Sequence, residues 1–231
     1  MKKITQFFLS KKFGLILFFF LLVLHFSLRI YKIDIYNLFG WDQVDNAWAS
    51  VNIIVHHKLP LLGMVAKGNS GIYIGPLYYY LISLFYFIFN LDPIASGIFA
   101  AVTSLLGFFS IYFVSKKLFP KPVAYIAVLI NAVSFASIYF DRVQWPVDLI
   151  PGISLLIFYC LYKVITGNTK YIIWLAVLIG FSFHIHFTSI FYPIFVFLSL
   201  PFFSWNWRTI KYILISIPLF FIFLIPNIIA E

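Results

Sequence analysis

The sequence predicts an all-α, multi-pass membrane bundle of about seven transmembrane helices, and three observations carry that prediction. The 231 residues are 63% hydrophobic and 22% aromatic but only 10% charged, well under the roughly 25% charge of soluble domains. Mean hydropathy is +1.02, and apolar runs near the ~20 residues that cross a bilayer recur along the chain. Basic and acidic residues are also divided unevenly among the loops joining those runs, as loops on opposite sides of a membrane are.

Taken in order, Lys2, Lys3, Lys11 and Lys12 precede an apolar segment from Phe13 to about Ile30. It has the basic start of a signal peptide, but it is too long for an h-region and has no small-residue cleavage site, so it reads as a retained helix. A first outer loop, 32–92, follows. The later spans fall at 93–115, 122–140, 147–165, 168–186, 187–204 and 210–229, with a second outer loop at 141–148. The run from Tyr171 to Phe203 is divided at His184–Thr188, because imidazoles buried mid-membrane are costly.

The segment 76–90 is too short to span. It is packed with Tyr78, Tyr79, Tyr80, Phe85, Tyr86, Phe87 and Phe89, the aromatics that favour the interface. Charge gives a separate test. With 76–90 at the outer surface, Lys2, Lys3, Lys11, Lys12, Lys116, Lys117, Lys121, Lys163, Lys170, Arg208 and Lys211 are cytoplasmic. Arg29, Lys32, Lys58, Lys67 and Arg142 are external, giving 11 basic residues inside against 5 outside. If 76–90 spans, every later loop flips and the balance reverses, against the positive-inside rule. The same topology places all the acidic residues outside, and all five histidines on or near that side.

The net charge of +9 is accounted for by these loops, so no nucleic-acid partner is implied. Cys160 is the only cysteine, which excludes an internal disulfide. The usual signatures of P-loop ATPases, serine hydrolases and zinc proteases are missing.

The candidate chemistry lies in the two outer loops. Asp42 and Asp45 are three apart, on one face of a helix, between Trp41 and Trp48. They read either as a general base and its neighbour at the membrane surface or as the favoured carboxylates of a helix N-terminus. Asp141, Arg142 and Asp148 flank Trp145-Pro146. They read either as a turn and helix cap or as a second carboxylate and cation facing the first loop, suited to a phosphate-bearing ligand. Lys67-Gly68-Asn69-Ser70-Gly71 would present backbone N–H groups to phosphate or form a surface turn. His184 and His186 point to different faces of a helix, and neither they nor His56-His57 have the spacing of a metal site. No cofactor is indicated, although a divalent cation is compatible with the residues.

Together these motifs resemble a family. An acidic pair in the first outer loop (Asp42-Gln43-Val44-Asp45), Gly75-Pro76-Leu77-Tyr78-Tyr79-Tyr80, Leu91-Asp92-Pro93, Lys116-Lys117-Leu118-Phe119, Asp141-Arg142-Val143-Gln144-Trp145 and a span-ending His186 occur in this order. The order is similar to that in GT-C glycosyltransferases of the protein-O-mannosyltransferase and aminoarabinose-transferase superfamily. The resemblance implies a GT-C-like bundle with juxtamembrane helices in the first loop, lying in the cell (inner) membrane with the active face extracytoplasmic. It implies inverting transfer of a sugar from a polyprenyl-phosphate donor to a glycan, lipid or protein acceptor. Asp42 would be the base, with Asp45 its neighbour, Asp148 the second-loop acid and Arg142 near the donor phosphate. Lys67, Tyr78, Tyr79, Trp145 and His186 would contribute to substrate binding.

Two departures stand out. The family usually has Asp-Glu where this chain has Asp42-Gln43, and relatives continue beyond position 231. The expectation is therefore a single module, 1–231, with the family's C-terminal part absent or supplied by a partner chain. The competing readings are a polyprenyl-lipid transporter and a non-catalytic subunit. A transport path would need polar groups through the membrane, and the spans are almost wholly apolar.

Overall fold

The computed structural model describes residues 11–66 and 70–230. Lys2, Lys3, Lys67 and Glu231 lie outside the described residues. The chain is helical: α1 (Lys11–Ile30), α2 (Ile33–Tyr36), α3 (Trp41–Ile54), α4 (Leu77–Ile88), α5 (Ile94–Leu118), α6 (Lys121–Val133), α7 (Phe135–Phe140), α8 (Ile150–Ile165), α9 (Tyr171–Phe183), α10 (Phe191–Ser199) and α11 (Trp207–Ala230). Short 3₁₀ turns precede α8 and flank α10. The only β pairing among the described residues is an isolated bridge between Val65 and Tyr73.

Four segments are long and apolar enough to cross a membrane by themselves: α1, Pro146–Ile165, α5 and α11. The path between them alternates. Phe18 meets Tyr112 and His25 meets Ser104, so α1 and α5 are antiparallel. Tyr125 of α6 returns to Tyr112 and to the carbonyl of Gly14 at the start of α1. Tyr159 of α8 meets Tyr171 at the start of α9, and the end of α9 meets Phe223 of α11. With α10 as the return between α9 and α11, seven passes result, as the sequence predicts. Lipid tails offer helices little hydrophobic reason to associate, so small residues that permit close approach matter more. The buried face of α5 has them: Ala95, Ser96, Gly97, Ala100, Ala101 and Ser104. This helix packs against α1, α2, α4, α6 and α8.

α3 and α4 do not join this alternation. Tyr78 and Phe85, seven residues apart on α4, both pack on the single ring of Phe99 at 5.5 and 5.1 Å. α4 therefore crosses α5 rather than running beside it. Asn90 and Leu91, both with positive φ (51° and 64°), make the tight reversal between the two helices. Asp92 then caps α5, its Oδ1 accepting from the Ile94 N–H at 2.8 Å. The first loop thus has two helices lying across one end of the bundle.

The predicted helix 122–140 is interrupted. Ser134 is extended (φ −62°, ψ 123°), and its hydroxyl accepts from the N–H of Ser137 to start α7. A serine that bonds its own backbone competes with the helix ladder. The break exposes terminal carbonyls of α6, and Arg29 of α1 takes them. Its guanidinium donates to the carbonyls of Ala132 (2.9 Å), Asn131 (3.2 Å) and His25 (3.1 Å) and pairs with Asp141 at 2.7 Å. Arg29 is fully buried, and with every arm engaged it joins α1 to the second loop.

The two ends of the bundle differ in charge. Asp34, Asp42, Asp45, Asp92, Asp141 and Asp148 gather at one end, with the connections 31–93 and 141–149. Lys11, Lys12, Lys116, Lys117, Lys121, Lys163, Lys170, Arg208 and Lys211 gather at the other.

Candidate functional site

At the acidic end, Asp42 lies in the first turn of α3, where free backbone N–H groups favour a carboxylate. The turn is fixed by Gln43. Its Oε1 accepts from the Gly40 N–H at 2.8 Å, and its Nε2 donates to the carbonyl of Gln144 at 2.6 Å. Gln144, fully buried, then donates to the hydroxyl of Tyr78 at 2.6 Å. This chain ties the first loop, the second loop and α4 together. It also accounts for the amide at position 43: an ionised glutamate could accept from Gly40 but could not donate to a carbonyl.

Asp42 lines a cavity of about 170 Å³ with Met64, Trp145, Pro146, Ile185 and His186. Its carboxylate accepts no hydrogen bond among the described residues. Across this cavity the Nδ1 of His186 is engaged by the Thr188 hydroxyl (3.0 Å) and N–H (3.3 Å), which assigns the proton of the neutral ring to Nε2. Burial lowers the pKa of His186, with the Asp42 charge opposing it. The pair is therefore a carboxylate facing a neutral imidazole that still has an N–H to give. Trp145, 41% exposed, supplies the aromatic wall.

His184, two residues earlier, has a different position. Its Nε2 meets the carbonyl of Phe223 at 2.6 Å, and its Nδ1 accepts from the Leu77 N–H at 3.4 Å. A Cβ on Gly75 would lie 2.0 Å from its ring, so the Gly75-Pro76 corner needs glycine for this close approach. His184 pins α4, α9 and α11 together beneath the cavity.

The other candidates lie elsewhere. Asp45 is held by Tyr79, whose hydroxyl donates to Oδ2 at 2.7 Å, and both line a separate groove with Lys58. Burial, with Asp45 adding to it, raises the Tyr79 pKa and keeps the phenol protonated. Asp148 shares a cavity of about 310 Å³ with Asp141, Ser104, Asn131 and Ser137, and its Oδ2 is buried without a partner among the described residues. Tyr78 is buried within reach of the charges of both Asp42 and Asp148. Burial raises its pKa, Gln144 opposes, and the charges of Asp148 and Asp42 both add to the rise. Arg142 turns toward α1, donating to the carbonyl of Leu28 and stacking on Tyr36 at 5.0 Å. Of the sequence candidates, Asp42, Trp145 and His186 come together, whereas Asp45, Tyr79, Asp148 and Arg142 do not line their cavity.

Sequence reasoning missed Arg29, Gln144 and Met64. An arginine at the end of an apolar run reads as a headgroup anchor, and only its long-range pairing reveals more. Among the described residues, no three His, Cys, Asp or Glu side chains gather in one place.

No curated protein and no solved structure matches the chain. A family profile does, over residues 74–229. The matched span includes Gly75–Tyr80, Trp145, Asp148 and His186 but not α3. The match covers about two thirds of the chain, and the chain belongs to the dolichyl-phosphate-mannose-protein mannosyltransferase family of GT-C-type membrane glycosyltransferases.

Proposed function

We propose that the chain transfers a sugar from a polyprenyl-phosphate donor to an extracytoplasmic acceptor hydroxyl, with inversion, using Asp42 as general base. One observation carries this reading: Asp42 faces neutral His186 across the cavity, with its carboxylate unspent on the fold. The acceptor hydroxyl gives its proton to Asp42 as its oxygen bonds to C1 of the sugar. The C1–O bond to phosphate breaks on the opposite face, and the pair of electrons leaves with the polyprenyl phosphate. The Nε2–H of His186 is suited to a phosphate oxygen there, where an aimed donor stabilises growing negative charge.

The bilayer supports the same assignment. A lipid-linked donor keeps its phosphate at headgroup level, and α3 and α4 lie across an end of the bundle, where headgroups would meet it. The positive-inside rule assigns the lysine-rich end to the cytoplasm, so the cavity opens on the outer face. Asp148 and Arg142 are left to the second loop, and the transfer is assigned to Asp42 alone.

The test is Asp42→Asn, with glycan transfer assayed in membranes that contain the full chain. A 10²–10⁴-fold loss is expected, the usual contribution of a positioned base, with membrane insertion unchanged. Transfer at the wild-type rate would remove Asp42 from the mechanism.

A further inference from the structure

The second cavity on α3 is a different kind of site. Asp45, Trp48 and Asn52 recur at i, i+3 and i+7, on one stripe of the helix. They form one wall of a groove of about 380 Å³ whose other walls are Lys58, Pro60 and Tyr79. The chain folds back to make it. His57 adopts a left-handed conformation (φ 54°), and the Lys58 N–H donates to the Asn52 carbonyl at 3.0 Å, which brings the ammonium-bearing residue against the last turn of α3. Pro60 is fixed from below, its carbonyl accepting from the hydroxyl of Tyr80. Asp45 is fixed from the side by Tyr79 through Oδ2, which leaves Oδ1 as an acceptor. Among the described residues, the side chains of Asn52 and Lys58 have no hydrogen-bond partner.

We propose that this groove binds a neutral, hydroxyl-rich glycan, as the acceptor-side subsite of the transferase. The chemistry on the walls is that of a carbohydrate site. Trp48, 64% exposed, offers an indole face to the apolar side of a sugar ring. The carboxylate of Asp45 accepts from hydroxyls, the amide of Asn52 both accepts and donates, and Lys58 donates. One carboxylate against one ammonium favours neither an anion nor a cation. The two tyrosine hydroxyls hold the walls before any ligand arrives, which lowers the cost of binding. The acceptor role rests on the transferase reading, since Asp45 follows Asp42 by one turn of α3, but the glycan binding does not.

The test measures binding without donor. The full chain, labelled with 5-fluorotryptophan, is placed in lipid nanodiscs, and its Trp48 fluorine resonance is assigned with Trp48→Phe. Methyl mannoside, cellobiose and chitobiose are then titrated in turn. At least one should move the Trp48 resonance while leaving Trp174 and Trp205 in place. Asp45→Asn and Asn52→Ala should each weaken that binding about tenfold, the factor that one good polar contact carries. No shift with any of the three glycans overturns the proposal. Strong broadening of Trp48 by headgroup spin-labelled lipid would then make it a membrane anchor. A shift that survives both substitutions overturns it as well. Asp42→Asn should leave the titration unchanged, so a failed groove and a failed base assignment give different results.

Discussion

Asp42 and Asp141 sit at the same end of the bundle, yet their surroundings give them opposite uses. Asp141 lies beside a fully buried arginine, and its carboxylate is taken up by the Arg29 guanidinium at 2.7 Å. Burial pushes its pKa up, and Arg29 pulls it back down. Asp42, half-buried, faces a cavity and a neutral imidazole, with no hydrogen bond to its carboxylate among the described residues. One charge holds two segments of chain together, while the other remains available for chemistry. The difference shows that residue type and depth do not tell a carboxylate free for chemistry from one spent on the fold. What its oxygens already hold does.

The largest effect that could break this comparison is all-or-none. Both carboxylates face outward if the lysine-rich end is cytoplasmic. In a Cys160→Ser background, Leu38→Cys should react with an impermeant thiol reagent added to intact cells, and Lys117→Cys should not. Leu38 is 49% exposed at the acidic end, and Lys117 is exposed at the other. Reaction at position 117 alone would reverse the orientation and remove the extracytoplasmic site.

The next contrast separates activity from stability. Asp42→Asn should cut transfer about 10²–10⁴-fold with little change in unfolding, whereas Arg29→Met should act chiefly on the fold. Removing one partner of a buried ion pair costs about 3–5 kcal/mol, and here it also strands the carbonyls of Asn131 and Ala132. A detergent-solubilised Arg29→Met chain should unfold at much lower temperature, with the transfer that remains scaling with the folded fraction. Arg29→Met of unchanged stability would mean that the seam is not what joins α1 to the second loop.

These two charges also mark how far the sequence could be read. The number of passes, the break at His184 and the division of charge all follow from hydropathy and loop composition, which are local. The interruption at Ser134 was not legible, because residues 123–140 contain neither proline nor glycine and a serine bends a helix only where its hydroxyl finds a partner. Arg29 and Asp141 are 112 residues apart, so each read singly as an anchor or a turn. Asp42 and Asp45 read as one pair at i, i+3 spacing. They are separated by the loop that walls their two cavities, Met64–Ala66 on one side and Lys58–Pro60 on the other, and a loop without periodicity gives no forecast of where it packs.

The smallest effect concerns the link between the two regions, the bond from Gln43 to Gln144. Gln43→Glu places at this position the acidic residue that the sequence resemblance implies and keeps the acceptor for the Gly40 N–H. It loses the donor, however, and turns an ionised oxygen toward the buried carbonyl of Gln144, now 2.6 Å from Nε2. A buried acceptor left unmatched costs about 1–3 kcal/mol. Thermal unfolding should therefore show a modest loss of stability, smaller than that of Arg29→Met. Transfer should fall with it, because Trp145, next to Gln144, would no longer be held over the Asp42 cavity. If Gln43→Glu proves as stable and as active as wild type, the two loops at the acidic end are positioned by their own packing. The amide at position 43 would then be incidental to the way the carboxylate at position 42 is presented.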